Sequence, residues 1–410
     1  MTATIEQASG VLDAQAPDLS EHLRRNGPVP WRRAKGALIE DLRASGLTGR
    51  GGAGFPVWRK LATVAEGASP VVIANGAEGE PASSKDRTLL TIAPHLVLDG
   101  LQLAAEAVGA KDAYLYTAHG DSVRKALAER AARGWDWLPV TVVHTPDSFL
   151  SGQESAVVAA IEGRPARPVD RIELTARSGV KGRATLVQNV ETLAHIAQIA
   201  RYGPGWFRRR GTADEPGTFL ATVSGAVGRP GVREAPIGTP LRRLLGEPTA
   251  ELRAVLVGGY HGTWVPASAL DVPMSRAALS RIGGSIGAGV LIALGADQRG
   301  LRYSAEVVTY LAGQSARQCG PCLNGLPAIA QVMTALANGG GPDLAGRAKW
   351  LANLVEGRGS CHHPDGTARF VRSALSVFGD ELAWHLRGDC ATAVRARSLR
   401  ATHPVTEGKA

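Results

Sequence analysis

The chain has 410 residues, of which 44% are hydrophobic and 20% charged, a balance typical of folded proteins with several hydrophobic cores. Four cysteines are too few for a disulfide scaffold, and no apolar run reaches the roughly 18 residues that a membrane-spanning helix needs. The net charge of +9 would suit nucleic acid, but basic and aromatic residues do not alternate along any stripe, so we expect no nucleic-acid partner.

The start of the chain is polar, and residues 1–28 are predicted to form a mobile tail. It has no basic start followed by an apolar core, so we expect no secretory signal and a cytoplasmic protein. The net charge could steer an acidic partner such as a ferredoxin, or it could reflect a composition without functional meaning.

Helix and strand signals alternate after the tail. A helix is expected from about Arg33 to Ser45. From Pro70 buried strands, the first at Val71, alternate with helices, as in a parallel sheet flanked by helices. One of these helices would run from about Pro94 to Val108, and Asp121 could cap the next. A β-rich module follows from about Gly217, and the pattern becomes helical from about Ser304. The final stretch is rich in arginine.

Four short polar or glycine-rich segments interrupt this pattern. Glycines in the first, Gly49–Phe55, free backbone amides to approach a phosphate or a flat ring, and Arg50 and Lys60 add positive charge. The second, Asn75–Pro81, follows the first buried strand, where ligands of open α/β sheets bind. The others are Phe149–Ser155 and Leu186–Leu193.

Taken together and in this order, the four segments resemble the NADH-binding flavoprotein subunit of respiratory complex I and of NAD-linked hydrogenases. The second segment is also similar to one in a more distantly related component of the Rnf complex. The resemblance covers roughly residues 30–390. It implies an α/β fold: a Rossmann-like parallel-sheet FMN domain, a small β-grasp domain and a helical iron–sulfur bundle.

The resemblance also implies domain boundaries and ligands. The domains would span 1–28 (tail), 29–215 (FMN and NADH), 216–300 (β-grasp), 301–392 (cluster) and 393–410 (basic tail). The residues matching FMN-binding positions are Gly49, Arg50, Gly51, Gly52, Gly54, Lys60, Asn75, Glu78 and Asn189, and those matching NADH-binding positions are Phe55, Glu80 and Glu154. The flavin would take hydride from NADH and carry the chemistry, with no catalytic side chain.

Several family positions differ in this chain. Aromatic residues that stack on the adenine side align with Thr63 and Leu174, and the first glutamate of the third segment is Gln153. Each lost stacking contact removes about 0.5–1.5 kcal/mol. FMN binding is therefore expected to be better preserved than NADH binding.

The cysteines match the family cluster incompletely. Cys319, Cys322 and Cys361 match three ligands, but the first ligand position is Ala316, which cannot bind iron. The nearby candidates for a fourth ligand are Ser315, His362, His363 and Cys390. A 3Fe–4S cluster, a 4Fe–4S cluster with an open or non-cysteine site, a zinc ion and an empty site all remain open.

The sequence thus predicts an NADH dehydrogenase-type subunit that passes electrons from NADH through FMN and a cluster to a ferredoxin-like partner. It would belong to a hetero-oligomer, without direct membrane insertion, and could be peripheral to a membrane complex. Two alternatives remain: a flavin relay that does not use NADH, and a non-catalytic scaffold.

Overall fold

A computed structural model describes residues 10–32, 34, 36–170 and 173–386 of the chain. These residues form three consecutive structural units, which begin with a four-stranded sheet, continue with a five-stranded sheet and end with a helical bundle. The basic end of the chain and Cys390 lie outside the described residues.

The first unit is a parallel sheet covered by helices, with strand order β3-β2-β1-β4. Its strands are β1 (Val71–Gly76), β2 (Asp112–Thr117), β3 (Val140–His144) and β4 (Thr185–Asn189). Its helices are α1 (Leu19–Asn26), α2 (Ala37–Ser45), α3 (Val57–Ala65), α4 (Lys85–Ile92), α5 (Pro94–Val108), α6 (Gly120–Ala131), α7 (Glu154–Ile161), α8 (Val190–Tyr202) and α9 (Pro204–Phe207). The parallel pairing of all four strands confirms the predicted parallel sheet flanked by helices.

Helix ends in this unit follow the glycine signals. Gly46 and Gly109 end α2 and α5 in the left-handed conformation, as their positions predict. Asp121 was expected to cap α6, which is wrong, because the helix begins one residue earlier and His119 precedes it. The predicted mobile tail is also too long, because α1 packs onto the unit with Leu19 buried.

The second unit is a mixed sheet with strand order β6-β5-β9-β7-β8. Its strands are β5 (Thr218–Gly225), β6 (Gly231–Pro236), β7 (Leu252–Val257), β8 (Thr263–Pro266) and β9 (Val290–Gly295), and its helices are α10 (Leu241–Leu245) and α11 (Arg276–Ser280). β5 pairs in parallel with β9 and antiparallel with β6, which agrees with the expected small β-rich fold.

The third unit is helical and packs on the second sheet. Its helices are α12 (Gly300–Gly313), α13 (Leu326–Ala337), α14 (Pro342–Val355), α15 (His363–Val377) and α16 (Gly379–Leu386), with a π-helical turn at Pro321–Gly325. The indole of Trp264 on β8 is buried and donates to the hydroxyl of Ser304 on α12 at 3.0 Å. The two units therefore share one hydrophobic core.

Within the described ranges, none of the helices is by itself long and apolar enough to cross a membrane. α4 and α5, which meet at an angle of 96°, satisfy those two criteria only as a pair.

Candidate functional site

A cleft of about 320 Å³ opens at the carboxyl ends of β1 and β4, and all three units contribute to its walls. Asn75 and Asn189, which pair in register near the ends of these neighbouring strands, line it. The second unit contributes His261 and Ala288, and the third contributes Cys361. Ligands of open α/β sheets bind at this edge, so the cleft is the leading candidate site.

The glycine-rich segment 49–54 forms a tight loop beside the cleft. The amide of Gly49 donates to the carbonyl oxygen of Phe55 at 2.9 Å, which closes the loop. Gly52 and Gly54 have φ angles of 108° and 59°, a region that side chains rarely adopt. The loop conformation therefore depends on glycine at these two positions.

The tip of the loop offers a cradle without side chains. Gly51 lines the cleft, and a Cβ placed there would lie only 3.3 Å from the Cβ of Asn189. Within the described part of the chain, the amides of Gly51, Gly52, Ala53 and Gly54 donate to no protein acceptor. Successive free amides of this kind form an anion-binding concavity.

The second unit holds this loop from outside. Arg276 donates through Nη2 to the carbonyl oxygen of Gly54 at 2.9 Å and through Nη1 to that of Ala53 at 3.4 Å. Its guanidinium fills the space that a side chain on Gly54 would need. A smaller cavity of about 150 Å³ lies between the loop and the second unit, lined by Gly49, Gly52 and Gly287 among others.

Arg50 does not direct its charge into the cleft. Its buried guanidinium donates to the carbonyl oxygens of Thr218 at 3.0 Å, Pro216 at 3.2 Å and Thr48 at 3.3 Å. Burial lowers the pKa of Arg50 to about 10. This side chain joins the glycine loop to β5, so any contact of Arg50 with a cofactor in the cleft would come from its backbone.

Asn75 and Glu78 shape the loop that follows β1. The Asn75 amide donates to the carbonyl oxygen of Gly152 at 2.8 Å, which ties the second and third motif segments together. The Glu78 carboxylate accepts from the amides of Asp86 at 3.0 Å and Arg87 at 3.1 Å. Glu78 therefore caps the start of α4 and also lines the cleft.

A buried group of charges lies under the cleft, and sequence reasoning did not single it out. Lys85 contacts Asp86 Oδ1 at 2.7 Å, Glu191 Oε2 at 2.9 Å and the Oδ1 of Asn189 at 3.3 Å. Burial alone would lower the pKa of Lys85, but the charges of Asp86 and Glu191 outweigh it and raise that pKa. The only sequence signal was the position of Lys85 just after the second motif segment.

Glu80 joins the first unit to the second. Its buried carboxyl accepts from the amide of Tyr260 at 2.7 Å and from that of Ala82 at 3.4 Å. Burial raises the pKa of Glu80 to about 7, although these amides oppose the shift. Glu80 lines the cleft as the sequence suggested, but its carboxylate oxygens already have backbone partners.

Lys60 and Glu154 pair with each other instead of lining the cleft. Lys60 also donates to the carbonyl oxygen of Val187 on β4 at 2.7 Å. Phe55 is 53% exposed and Leu174 is 72% exposed, so both are accessible from solvent. The structure thus leaves Phe55 free to stack on a planar ligand.

Imidazole and aromatic rings connect the cleft to the helical unit. His363 donates through Nε2 to the carbonyl oxygen of Leu311 at 2.9 Å, so its Nδ1 accepts from Nε2 of His261 at 3.0 Å. The ring of Phe149 packs edge-on against His261, with centroids 4.7 Å apart. His261 and His363 both line the cleft, and neither was recognised as a cleft residue from sequence.

The three predicted cysteine ligands lie near one another at the edge of the helical unit, and each thiol receives backbone hydrogen bonds. Cys319 accepts from the amides of Ser360 and Cys322, and Cys361 accepts from the amide of His363. Cys322 accepts from the amide of Arg317. Amide donors of this kind stabilise thiolates, the form that binds metal.

The thiol pKa values reflect burial and mutual charge. Burial opposes ionisation of Cys319, but the hydrogen bonds from Ser360 and Cys322 outweigh it and lower its pKa. Burial and the neighbouring Cys319 raise the pKa of Cys322 to about 12. Burial also raises the pKa of Cys361. Cys319 is thus the thiol of the group whose ionisation its surroundings favour.

No three cysteine, histidine or acidic side chains among the described residues converge closely enough to hold one metal ion. The ligands of a single zinc ion meet at one point with bonds of about 2.0–2.3 Å, whereas the ligands of an iron–sulfur cluster bind separate irons.

Both cofactors fit the residues present. The cleft falls within the range of about 300–1,000 Å³ typical of ligand sites, and its glycine cradle and free amides suit the phosphate and ring of FMN. Three amide-bonded thiols suit an iron–sulfur cluster.

Two family models match the chain. The model of the Nuo51 FMN-binding domain matches residues 42–198, which include the glycine loop and the strands of the first unit. The model of the NADH-ubiquinone oxidoreductase-F iron-sulfur binding region matches residues 302–385, which include Cys319, Cys322 and Cys361.

Similar proteins cover most of the chain. The second of two F-type subunits of NADH-quinone oxidoreductase in Rhizobium meliloti is 30% identical over 374 residues, which are 85% of this chain and 88% of the relative. The F-type subunit of the same enzyme in Escherichia coli is 29% identical over 401 residues, 90% of each chain.

Solved structures resemble this fold closely. The NAD+-reducing NiFe-hydrogenase in its H2-reduced state gives a TM-score of 0.80 at 28% identity, covering 92% of this chain and 67% of that one. The air-oxidized state gives 0.80 at 29% identity, covering 87% and 64%. The present chain thus spans about two thirds of the hydrogenase chains.

Proposed function

The chain belongs to the family of F-type subunits of NADH-quinone oxidoreductase, and from this we propose how its residues perform the family's electron transfer. It is an NADH dehydrogenase-type oxidoreductase subunit that passes electrons from NADH through FMN to an iron–sulfur cluster. The assignments of individual residues below are our proposal.

Bound FMN supplies the hydride chemistry, since it accepts an electron pair and releases electrons singly. In the proposal, the free amides of Gly51 and Gly52 bind it, together with the amide groups of Asn75 and Asn189. Lys85 donates to the Oδ1 of Asn189 and so orients its amide group, while Asp86 and Glu191 balance the charge of Lys85.

Three cysteines, Cys319, Cys322 and Cys361, would hold the cluster. A cluster held there would supply one-electron transfer. The residues 29–215, 216–300 and 301–392 would then be the flavin, β-grasp and cluster domains.

One observation carries this proposal. The same cleft is lined by the flavin-cradle residues Gly51 and Asn189 and by the cluster cysteine Cys361. A flavin bound there would lie directly beside a cluster ligand, which is what electron transfer between the two cofactors requires.

The subunit works within a hetero-oligomer that has further iron–sulfur components. We propose that its immediate electron acceptor is a ferredoxin-like protein. We also propose a cytoplasmic location, peripheral to any membrane complex.

The test is a visible spectrum of protein purified without oxygen, followed by addition of NADH. Flavin bands together with a broad iron–sulfur absorption are expected, and NADH should bleach the flavin bands. A colourless protein that takes up neither FMN nor iron during reconstitution would contradict the proposal.

A second function, a flavin relay that does not use NADH, is favoured by one specific observation. Thr63 and Leu174 replace the family's stacking aromatics, and Glu154 is paired with Lys60. Flavin bands that a reduced ferredoxin bleaches but NADH does not would identify the relay. Folded material that binds no cofactor would instead indicate a scaffold.

A further inference from the structure

Among the described residues, the cluster site lacks a protein ligand at one corner. The hydroxyl of Ser315 donates to the carbonyl oxygen of Cys322 at 3.5 Å, so the loop that carries Ala316 lies against the cysteine group. Ala316 is thus adjacent to the thiols, but its methyl group cannot bind iron. In a four-iron cluster held by Cys319, Cys322 and Cys361, one iron has no cysteine ligand.

Of the neighbouring histidines, His363 does not supply the missing ligand. Both ring nitrogens of His363 are engaged, one with Leu311 and the other with His261. The side chain of His362 is fully exposed, and its Nδ1 pairs with Asp365 Oδ2 at 3.2 Å. Its Nε2 has no protein partner among the described residues, so His362 is tested as a ligand directly below.

Ser315 is also a poor ligand. Its hydroxyl is 3.5 Å from the carbonyl oxygen of Cys322, to which it donates. An alcohol must lose its proton to bind iron strongly, and no base contacts this hydroxyl among the described residues. Cys390 lies outside the described residues and is tested directly below.

The open corner faces solvent. Arg317, Gln318 and Gly320 are exposed, so the loop that carries Ala316 lies at the protein surface. A small molecule can therefore reach an iron at this position without any movement of the helices. Arg317, the next residue in the chain, adds a positive charge to this loop, which favours an anionic ligand.

We propose that the chain binds a 4Fe–4S cluster through three cysteines only, and that the iron beside Ala316 takes an exchangeable ligand from solution, a small thiolate where one is present. This inference rests on the proposed function, because it requires that the cluster be bound. An iron without a protein ligand is also the one most easily lost.

Loss of that iron can be driven by one-electron oxidation. Ferricyanide removes one electron from 4Fe–4S(2+) and becomes ferrocyanide. The oxidised cluster, 4Fe–4S(3+), then dissociates into 3Fe–4S(+) and a free Fe(2+) ion, so charge and atoms balance.

The experiment compares the wild-type protein with Ala316→Cys, both reconstituted without oxygen and treated with one equivalent of ferricyanide. The wild type should release one Fe(2+) per cluster, measured with a ferrous chelator, and gain the EPR signal of a 3Fe–4S cluster. Ala316→Cys restores a fourth thiolate and should release iron at least about tenfold more slowly. Bound FMN reports that each variant is folded.

A second measurement tests ligand exchange. 2-Mercaptoethanol should change the EPR spectrum of the dithionite-reduced wild-type cluster and leave that of Ala316→Cys unchanged. Ser315→Ala, His362→Ala and Cys390→Ala should behave as the wild type in both measurements.

The outcomes are distinguishable. The inference would be overturned if the wild-type cluster kept all its iron and if 2-mercaptoethanol left its EPR spectrum unchanged. That result would leave the proposed function intact. Failure of Ser315→Ala, His362→Ala or Cys390→Ala to assemble a cluster would also overturn it, by identifying a protein ligand. Absence of any cluster in every variant would refute the proposed function itself.

Discussion

At the scale of single residues, Gly51 is the position where an added side chain acts most directly on the cleft. It lines the cleft, and a Cβ there would approach Asn189 to 3.3 Å. We expect Gly51→Val to weaken FMN binding at least about tenfold, which corresponds to about 1.4 kcal/mol. Titration of the cofactor-free protein with FMN measures the dissociation constant.

Gly205→Ala is the matched control for that titration, because nothing lies within 4 Å of a Cβ at Gly205 and its φ is not in the left-handed region. Unchanged affinity in Gly51→Val, with the control also unchanged, would show that FMN does not approach the loop.

Glu80 gives a prediction about pH. Burial raises its pKa from the ordinary 4.5 to about 7 in the folded protein, so the stability that it contributes is present below pH 4.5 and lost as the pH rises through 7. This shift corresponds to about 3 kcal/mol. Glu80→Gln removes the titration and should gain about that much stability relative to the wild type between pH 4.5 and 8.

The measurement is the free energy of unfolding in urea for cofactor-free protein at several pH values. Glu66→Gln, at an exposed carboxylate, is the control and should follow the wild type throughout. A constant difference between Glu80→Gln and the wild type would mean that Glu80 is already ionised in the folded state.

At the scale of elements, the flavin cradle and the cysteines belong to different units. The cradle lies in the first unit, whereas Cys319 belongs to the helical unit. We therefore expect Cys319→Ala to abolish the iron–sulfur absorption and EPR signals while FMN remains bound with an affinity within about twofold of the wild type. Loss of both cofactors would contradict this separation.

Sequence patterns predicted local structure well at this scale. The strand at Val71 follows from a buried apolar run. The helix from Pro94 to Val108 follows from an apolar run that begins at a proline and ends before a glycine. The start of α6 was misplaced because an acidic residue in a first turn resembles a cap in sequence.

The site was predicted less completely, for a physical reason. Gly51, Asn75 and Asn189 belong to motifs and do line the cleft. Long-range packing determines where the Arg50 guanidinium points and why Lys85 is buried. It also brings His261 of the second unit to the cleft. No local pattern encodes such contacts.

At the scale of the whole molecule, the net charge of +9 gives a prediction about partners. A positive field accelerates association with an acidic acceptor, and salt screens that field. We expect the rate of electron transfer to an acidic ferredoxin to fall severalfold between about 0.01 M and about 0.15 M salt.

Hexaammineruthenium(III), a cationic acceptor, is the control, and its rate should rise or stay constant over the same range. Parallel falls for both acceptors would indicate a general effect of salt on the protein instead of steering.

The shared cleft has a consequence for how this chain could be shortened or recombined. The β-rich unit supplies Arg276 to the glycine loop and His261 to the cleft wall, so it is part of the candidate site and not a spacer between the other two units. A chimera that exchanged this unit for another of the same outline would lose both contacts. All three units must therefore be present together for this cleft to form.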